Sequence, residues 1–206
     1  YEIPKRDWSS DVCSSDLNGT VKTADVDGFS GSSTTTISST NTPTISLGSS
    51  STVEYTSNST QAVTARDYVN LASSGSGART LPNGGTVGIT GAFTPGSNSY
   101  TITGSTIDFK GTGAQTIPAF NYNNLTSSSS GARTLASSGT IGVAGTFTKG
   151  SNINYTVSGS TMEFNGSGLQ SIPAFNYHNL SSSGAGQRQL AGANGDTIGI
   201  AGTFTP

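Results

Sequence analysis

Apolar and polar side chains alternate along most of this chain. In the stretch TIDF, Ile107 and Phe109 share one face and Asp108 takes the other, and Ile141 and Val143 are spaced in the same way. A spacing of two is the periodicity of a β-strand, and no stretch repeats at helical spacing. Clusters rich in Gly and Ser separate these segments as turns do. The pattern predicts an all-β chain of short strands.

The apolar members of this pattern define a predicted core. We expect their side chains to face inward and to be buried, together with their equivalents elsewhere in the chain. The set is Ile107, Phe109, Ile117, Ile141, Val143, Phe147, Tyr155 and Val157, with Val53, Met162, Phe164, Ile172, Ile198 and Phe204 as equivalents.

The chain repeats itself. The stretch TIPAFNYNNLTSSSSGARTLASSGTIGVAGTFT, which begins at Thr116, recurs from Ser171 with a short insertion, and a weaker copy begins at Ala62. Arg79, Arg133 and Arg188 occupy one position of this repeat and give it a period of about 55 residues. We place a partial repeat at 18–51, full repeats at 52–105 and 106–160, and a truncated one at 161–206.

Copies of this length have too few apolar residues to enclose a core alone. Stacking buries the inward face of each turn against the next. We therefore expect a parallel β-helix, or β-solenoid, with either two turns of about 27 residues or three of about 18 per repeat. A string of β-sandwich domains is the rival, but such domains need about 100 residues each.

The segment 1–17 differs from the rest of the chain and contains its single Cys and single Trp, Cys13 and Trp8. Asp7 to Leu17 back-translates codon for codon into a common sequencing adapter, and the segment as a whole resembles a translated adapter with its index. We expect this segment not to pack on the solenoid and exclude it from fold reasoning. We also expect the chain to be an internal fragment of a longer protein.

Charge is sparse beyond this segment. From Asn18 onward the chain has seven acidic and seven basic residues, one His, no Cys and no Trp. A neutral, charge-poor chain lacks the basic surface that nucleic acids attract. No apolar run approaches the roughly 20 residues of a membrane span. We therefore expect neither a nucleic acid partner nor a membrane segment in this part of the protein.

Two motifs carry a family resemblance. The stretches QTIPAFNYNNLT and GTIGVAGTFT resemble repeats of very large bacterial surface proteins, adhesins and autotransporter-passenger-like β-helices. The resemblance covers roughly Asn18 to Pro206. It implies a secreted or cell-surface location and a structural or adhesive role, and it implies no particular ligand.

Two sets of recurring charged residues are candidate sites. The first set is one acidic residue that recurs in each repeat. Such carboxylates, if stacked, could bind Ca²⁺ or flank a glycosidic bond, but we expect them to be solvated outward residues. The recurring arginines could anchor a carboxylated sugar; we expect surface charges whose stems lie over apolar atoms. The acids are Glu54, Asp108 and Glu163, and the arginines are Arg79, Arg133 and Arg188.

Recurring aromatic and amide side chains are a further pair of candidates. The aromatics could form a sugar-stacking stripe, although a core stack is the preferred interpretation; they are Tyr68, Tyr122, Tyr177, Phe120 and Phe175. We expect Asn70, Asn124 and Asn179 to stack between turns and to hydrogen-bond the turn backbone. His178 has no second His or Cys with which to bind a metal.

The repeat pattern, with what the resemblance implies, favours a structural or adhesive repeat segment of a large secreted or cell-surface bacterial protein. The alternatives are a flanking part of a carbohydrate-active β-helix enzyme and a weak glycan-binding module. We expect no catalytic residues, no cofactor and no metal site. Surface glycans or other cell-surface components, bound weakly, are the expected partners.

Overall fold

The computed structural model describes residues 18–37, 45–150, 154–192 and 196–206. The described chain is all-β, and its strands pair in parallel as in a β-solenoid, which confirms the predicted fold class. None of the described residues forms a helix, so none forms one that could cross a bilayer. The segment 1–17, with Trp8, lies outside the described residues. The chain divides into two compact units, Tyr1–Thr103 and Gly104–Pro206.

The described part of the first unit contains nine strands. They are β1 Thr20–Thr23, β2 Thr52–Tyr55, β3 Gln61–Ala62, β4 Asp67–Tyr68, β5 Asn70–Ser73, β6 Arg79–Thr80, β7 Thr86–Ile89, β8 Phe93–Thr94 and β9 Tyr100–Thr101. β2 pairs with β5 and β5 with β8; β3 pairs with β6 and β6 with β9; β4 pairs with β7. β1 pairs with β2. The strands β2 to β6 thus each pair with the third strand after them, which means three strands per turn.

The described part of the second unit contains fifteen strands. They are β10 Thr106–Phe109, β11 Gln115–Ile117, β12 Asn121–Tyr122, β13 Asn124–Ser127, β14 Arg133–Leu135, β15 Thr140–Val143, β16 Phe147–Thr148, β17 Tyr155–Thr156, β18 Thr161–Phe164, β19 Gln170–Pro173, β20 Asn176–Tyr177, β21 Asn179–Ser182, β22 Arg188–Ala191, β23 Gly199–Ile200 and β24 Phe204–Thr205. The same pairing rule holds: β10–β13–β16, β11–β14–β17, β12–β15–β18–β21–β24, β19–β22 and β20–β23.

The sequence repeat and the solenoid turn have different lengths. We call the repeats 52–105, 106–160 and 161–206 the first, second and third copies. A complete copy holds eight strands, since β10 begins the second copy and β18 the third with the equivalent stretches TIDF and TMEF. With three strands per turn, one copy makes two and two-thirds turns. The turns are also unequal, because the one from Gln115 to Arg133 is shorter than the one from Arg133 to Tyr155. Both predicted divisions of the repeat, into two turns of about 27 residues or three of about 18, are therefore wrong.

This mismatch rotates successive copies within the second unit. β18, the first strand of the third copy, pairs with β15, the sixth strand of the second copy, with Ile141 beside Met162. Its equivalent β10 pairs with β13 in another sheet. Equivalent residues of the two copies therefore lie on different sheets rather than directly above one another.

The predicted inward face is confirmed for most of its members. The buried ones are Val53, Ile107, Phe109, Ile117, Ile141, Val143, Phe147, Met162, Phe164 and Ile172. Tyr155, Val157 and Ile198 are half-buried. The prediction is wrong for Phe204, which is 56% exposed. Phe204 lies in β24, which among the described strands has only β21 as a neighbour, so one side of its ring has no described strand over it.

Candidate functional site: a buried polar corner

The recurring acids take the outward face of their strands. The strands Thr52–Tyr55, Thr106–Phe109 and Thr161–Phe164 share one burial pattern, in which the acid lies between two buried side chains and is itself partly exposed. Ser74 donates a hydrogen bond to Glu54 at 2.6 Å, and Ser128 donates one to Asp108 at 2.6 Å. Glu54 and Asp108 therefore contact hydroxyl groups of the next turn.

These acids do not come together as a site. Asp108 in β10 and Glu163 in β18 belong to different sheets of the second unit. Lys22 lies 3.5 Å from Glu54 as an ion pair at the surface. Within the described ranges, no group of three or more His, Cys, Asp or Glu residues could hold a metal ion. A pair of carboxylates on either side of a bound sugar, as glycoside cleavage needs, is not formed by Asp108 and Glu163.

The recurring arginines are placed differently from the prediction. Arg133 is fully buried, and its guanidinium group donates to backbone carbonyl oxygens. Nη2 donates to Phe109 O at 2.7 Å and Gly111 O at 3.1 Å in the preceding turn, while Nη1 donates to Gly131 O at 2.7 Å. The side chain thus joins two successive turns at one corner of the solenoid.

The other two arginines make the same kind of contact. Arg79 is fully buried and donates to Tyr55 O at 2.8 Å and Ser57 O at 3.1 Å. Arg188 is half-buried and donates to Phe164 O at 2.7 Å and Gly166 O at 3.1 Å. Both predicted roles, a surface charge and a sugar anchor, are therefore wrong for Arg79 and Arg133.

A glycine two positions before each arginine makes this corner possible. A Cβ placed on Gly131 would lie 2.1 Å from Gly113 O and 2.7 Å from Arg133 Nη1. The equivalent Gly186 would meet Gly168 O at 2.1 Å and Arg188 Nη1 at 2.8 Å. Because only glycine permits such a close approach of backbones, the recurring Gly-x-Arg spacing follows from the geometry of the corner.

A glutamine lies beside each arginine in the neighbouring strand, at a position that the sequence analysis did not single out. Gln115 is in register with Arg133, and Gln170 with Arg188. Gln170 is buried; its Nε2 donates to Val143 O at 2.9 Å and Gly145 O at 2.8 Å, and its Oε1 accepts from Gly166 N at 2.7 Å. The Gln170 side chain therefore hydrogen-bonds the backbone of the preceding turn as well as that of its own turn.

On the strand that follows each of the first two arginines, a tyrosine lies in register with it. Arg79 is in register with Tyr100, and Arg133 with Tyr155. The hydroxyl group of Tyr100 donates to Ser73 Oγ at 2.6 Å. We refer to the registered sets Gln61–Arg79–Tyr100, Gln115–Arg133–Tyr155 and Gln170–Arg188 as the polar corner. Each of its arginines and glutamines hydrogen-bonds backbone atoms.

The polar corner carries buried positive charge. Burial lowers the pKa of the Arg79 and Arg133 guanidinium groups, and the nearby Tyr100 and Tyr155 partly counter this effect. The hydrogen-bond acceptors of both arginines are carbonyl oxygens, not carboxylates. Hydrogen bonds from a charged donor offset part of the desolvation cost. The charges of Arg79 and Arg133 are inaccessible to a ligand and act within the fold.

The recurring tyrosines belong to the core, as the preferred interpretation held. Tyr68, Tyr122 and Tyr177 are at most 2% exposed, so their rings cannot stack on a sugar. The hydroxyl group of Tyr122 donates to Pro118 O at 3.1 Å and that of Tyr177 to Pro173 O at 2.9 Å. Burial raises the pKa of both hydroxyl groups above its ordinary value.

The recurring phenylalanines pack against these tyrosines. Phe175 is buried, and the centre of its ring lies 4.9 Å from that of Tyr177 in an edge-to-face arrangement. Phe120 is half-buried and meets Tyr122 at the same distance. In the first unit Arg66 lies instead over the ring of Tyr68, 5.9 Å from its centre. Arg66 occupies the repeat position of Phe120 and Phe175, so a cation–π contact replaces the aromatic pair in the first unit.

The recurring asparagines bind turn backbone. Asn70 donates to Ser51 O at 3.0 Å and accepts from Ala92 N at 2.9 Å, in the turns before and after it. Asn124 and Asn179 accept in the same way from Thr146 N and Thr203 N. The predicted bonds to the turn backbone are confirmed. The predicted stacking of Asn124 on Asn179 is wrong, because β13 and β21 lie in different sheets.

One surface cleft in the second unit has mixed chemistry. It has a volume of about 870 Å³, and its lining includes Lys149, Asn154, Tyr155, Phe175 and Asp196. The segments 151–153 and 193–195 next to these residues lie outside the described chain. His178 is half-buried and is not among the lining residues. The cleft presents an ammonium group, a carboxylate and an amide beside aromatic rings.

Comparisons of the chain with protein-family models, with curated proteins and with solved structures found no match.

Proposed function

We propose that the chain is a structural and adhesive repeat segment of a large secreted or cell-surface bacterial protein. The observation that carries this proposal is the polar corner. The arginine and glutamine of each copy bind the backbone of neighbouring turns, as Arg133 does at Phe109 O and Gly111 O. A residue that recurs at every repeat and holds one turn to the next favours a scaffold that is lengthened by adding copies.

The repeat length gives this scaffold a measurable increment. Eight strands at three per turn make two and two-thirds turns, and parallel strands lie about 4.8 Å apart. Each added copy then lengthens the solenoid by about 13 Å. Small-angle X-ray scattering of chains with one, two and three extra copies of residues 106–160 measures this increment. A particle that grows in width but not in length would overturn the scaffold role.

Adhesion is the second part of the proposal. Outward Thr, Asn and Ser side chains on repeated turns offer many weak hydrogen-bonding positions, whose contributions combine when several copies engage one surface. Beads that display the chain at high density should bind bacterial or host glycans on an array more strongly than the monomeric chain does. Equal and negligible binding of both forms would remove adhesion and leave the scaffold role.

The cleft favours a weak glycan-binding module as a second candidate function. Ligand sites combine apolar and aromatic surface with a few polar groups, as Lys149, Asn154 and Phe175 do here. Asn154→Ala with Lys149→Ala should lower glycan binding at least tenfold, whereas Lys22→Ala in the first unit should not. A reducing-sugar assay on the same panel separates binding from cleavage, and turnover would favour the carbohydrate-active enzyme instead.

A further inference from the structure

The strands β22, β23 and β24 of the second unit form an open apolar edge. Each has one neighbouring strand among the described residues, β19, β20 and β21 respectively. Their large apolar side chains are exposed: Leu190 by 69%, Ile200 by 36% and Phe204 by 56%. Unpaired backbone and exposed apolar side chains on one edge are a template for a further strand.

Register shows that these are inward positions. Leu190 lies beside the buried Ile172, Ile200 beside Tyr177 and Phe204 beside Leu180. Their equivalents in the previous copy, Leu135, Val143 and Phe147, are 2%, 0% and 6% exposed. The same side chains are therefore buried where another turn lies over them.

The second unit also shows what covers this kind of edge. β17 pairs with β14 and brings Tyr155 beside Arg133. β18 pairs with β15 and brings Phe164 beside Val143. β19 lies next to β16, and the rings of Phe147 and Phe175 meet edge to face at 5.6 Å. The cover is thus one turn of three strands, with the patterns Tyr-Thr, Thr-Met-Glu-Phe and Gln-Ser-Ile.

We propose that the edge of β22, β23 and β24 is an interaction surface for one further turn of the same repeat, added in parallel. In this turn, a strand like β17 (Tyr-Thr) pairs with β22, a strand like β18 (Thr-Met-Glu-Phe) pairs with β23, and a strand like β19 (Gln-Ser-Ile) lies next to β24. A tyrosine then lies beside Arg188, as Tyr155 lies beside Arg133. The inference rests on the proposed role as a repeat segment and names the partner of its open edge.

A fusion tests this proposal on the full chain. A copy of residues 150–173 is added after Pro206, because Pro206 is equivalent to Lys149 in the repeat. In the matched control, the added residues copied from Tyr155, Met162, Phe164 and Ile172 are all serine. Hydrogen exchange followed by mass spectrometry reports backbone protection of residues 199–205, which opens locally when uncovered.

The fusion should slow exchange at residues 199–205 at least tenfold relative to the unextended chain, and the serine control should not. Equal protection in fusion, control and unextended chain would overturn the proposal. Protection that rises with the concentration of the unextended chain would also overturn it, because a second copy would then be the partner. Backbone protection is measured independently of glycan binding and of the length added per copy, so failure of this test and failure of the proposed function are distinguishable.

Discussion

The second and third copies of the repeat, which share the unit Gly104–Pro206, have similar sequences but differ in burial at the strands β14–β16 and their equivalents β22–β24. Phe147 and Arg133 of the second copy are buried, whereas Phe204 is exposed and Arg188 is half-buried in the third. The difference is not in the residues themselves. β14 and β16 have strands on both sides, and β22 and β24 have a described strand on one side only.

The comparison separates two kinds of interaction. Tyr122 and Tyr177 are buried alike, and each donates to a carbonyl four positions earlier in its own turn. The Phe and Arg positions instead depend on the turn that follows. A solenoid copy therefore buries its core tyrosine within its own turn, whereas the inward side chains of its last turn are buried only by the turn that follows.

The largest expected effect comes from Phe147→Ala. Removing a buried phenylalanine costs about 3–5 kcal/mol of unfolding free energy, because its transfer energy is lost and a cavity is left. Phe204→Ala is the matched control and should cost less than about 1 kcal/mol. Urea denaturation of both variants measures the difference. Equal costs would show that Phe204 is covered in solution and would remove the contrast between the copies.

Next in size is the pair Arg133→Met and Arg188→Met. The first leaves the carbonyls of Phe109 and Gly111 without the guanidinium donor in a closed corner, at a cost of about 2–4 kcal/mol. Arg188→Met leaves the carbonyls of Phe164 and Gly166 at a half-buried corner, where water can bind them, so this variant should cost about half as much unfolding free energy. Denaturation midpoints measure both effects. If Arg133→Met is as stable as the unmodified chain, the polar corner does not hold the turns together.

The tyrosines should behave alike in the two copies. Burial raises the pKa of Tyr122 and Tyr177 in the folded chain, so their contribution to stability is complete below the ordinary value of about 10. Above that pH the unfolded chain loses its phenolic protons first, and stability falls by up to about 1.4 kcal/mol per pH unit for each tyrosine. Stability measured from about pH 8 to about pH 11.5 shows the fall, and Tyr122→Phe and Tyr177→Phe should each reduce it equally. A flat profile would contradict the assigned burial.

The outward acids should matter least. Asp108→Asn and Glu163→Gln remove partly exposed charges, and each should change the unfolding free energy by less than about 1 kcal/mol. Calorimetric melting of the two variants provides the measurement. A loss above about 3 kcal/mol for either one would mean that these acids have a buried role which the structure does not contain.

The strand pattern, the repeat and the inward apolar face were predictable because alternation is a local property of the sequence. The register between strands of neighbouring turns was not predictable. Gln115 and Arg133 meet because three strands make a turn, whereas the visible period contains eight strands. The available signal was a glutamine that precedes every Gly-x-Arg at a constant distance. The exposure of Phe204 was unpredictable for another reason, since burial there depends on a neighbouring turn and not on the residue.

The register of the turns is tested most directly by disulfide trapping in a Cys13→Ser background. Thr126 and Thr148 are in register on adjacent strands, whereas Asp108 and Glu163 lie in different sheets. Neighbouring strands bring Cα atoms about 4.8 Å apart, within disulfide reach. The cysteine pair at 126 and 148 should cross-link rapidly under mild oxidation, and the pair at 108 and 163 should not. Cross-linking at 108 and 163 but not at 126 and 148 would contradict an eight-strand repeat wound three strands to the turn.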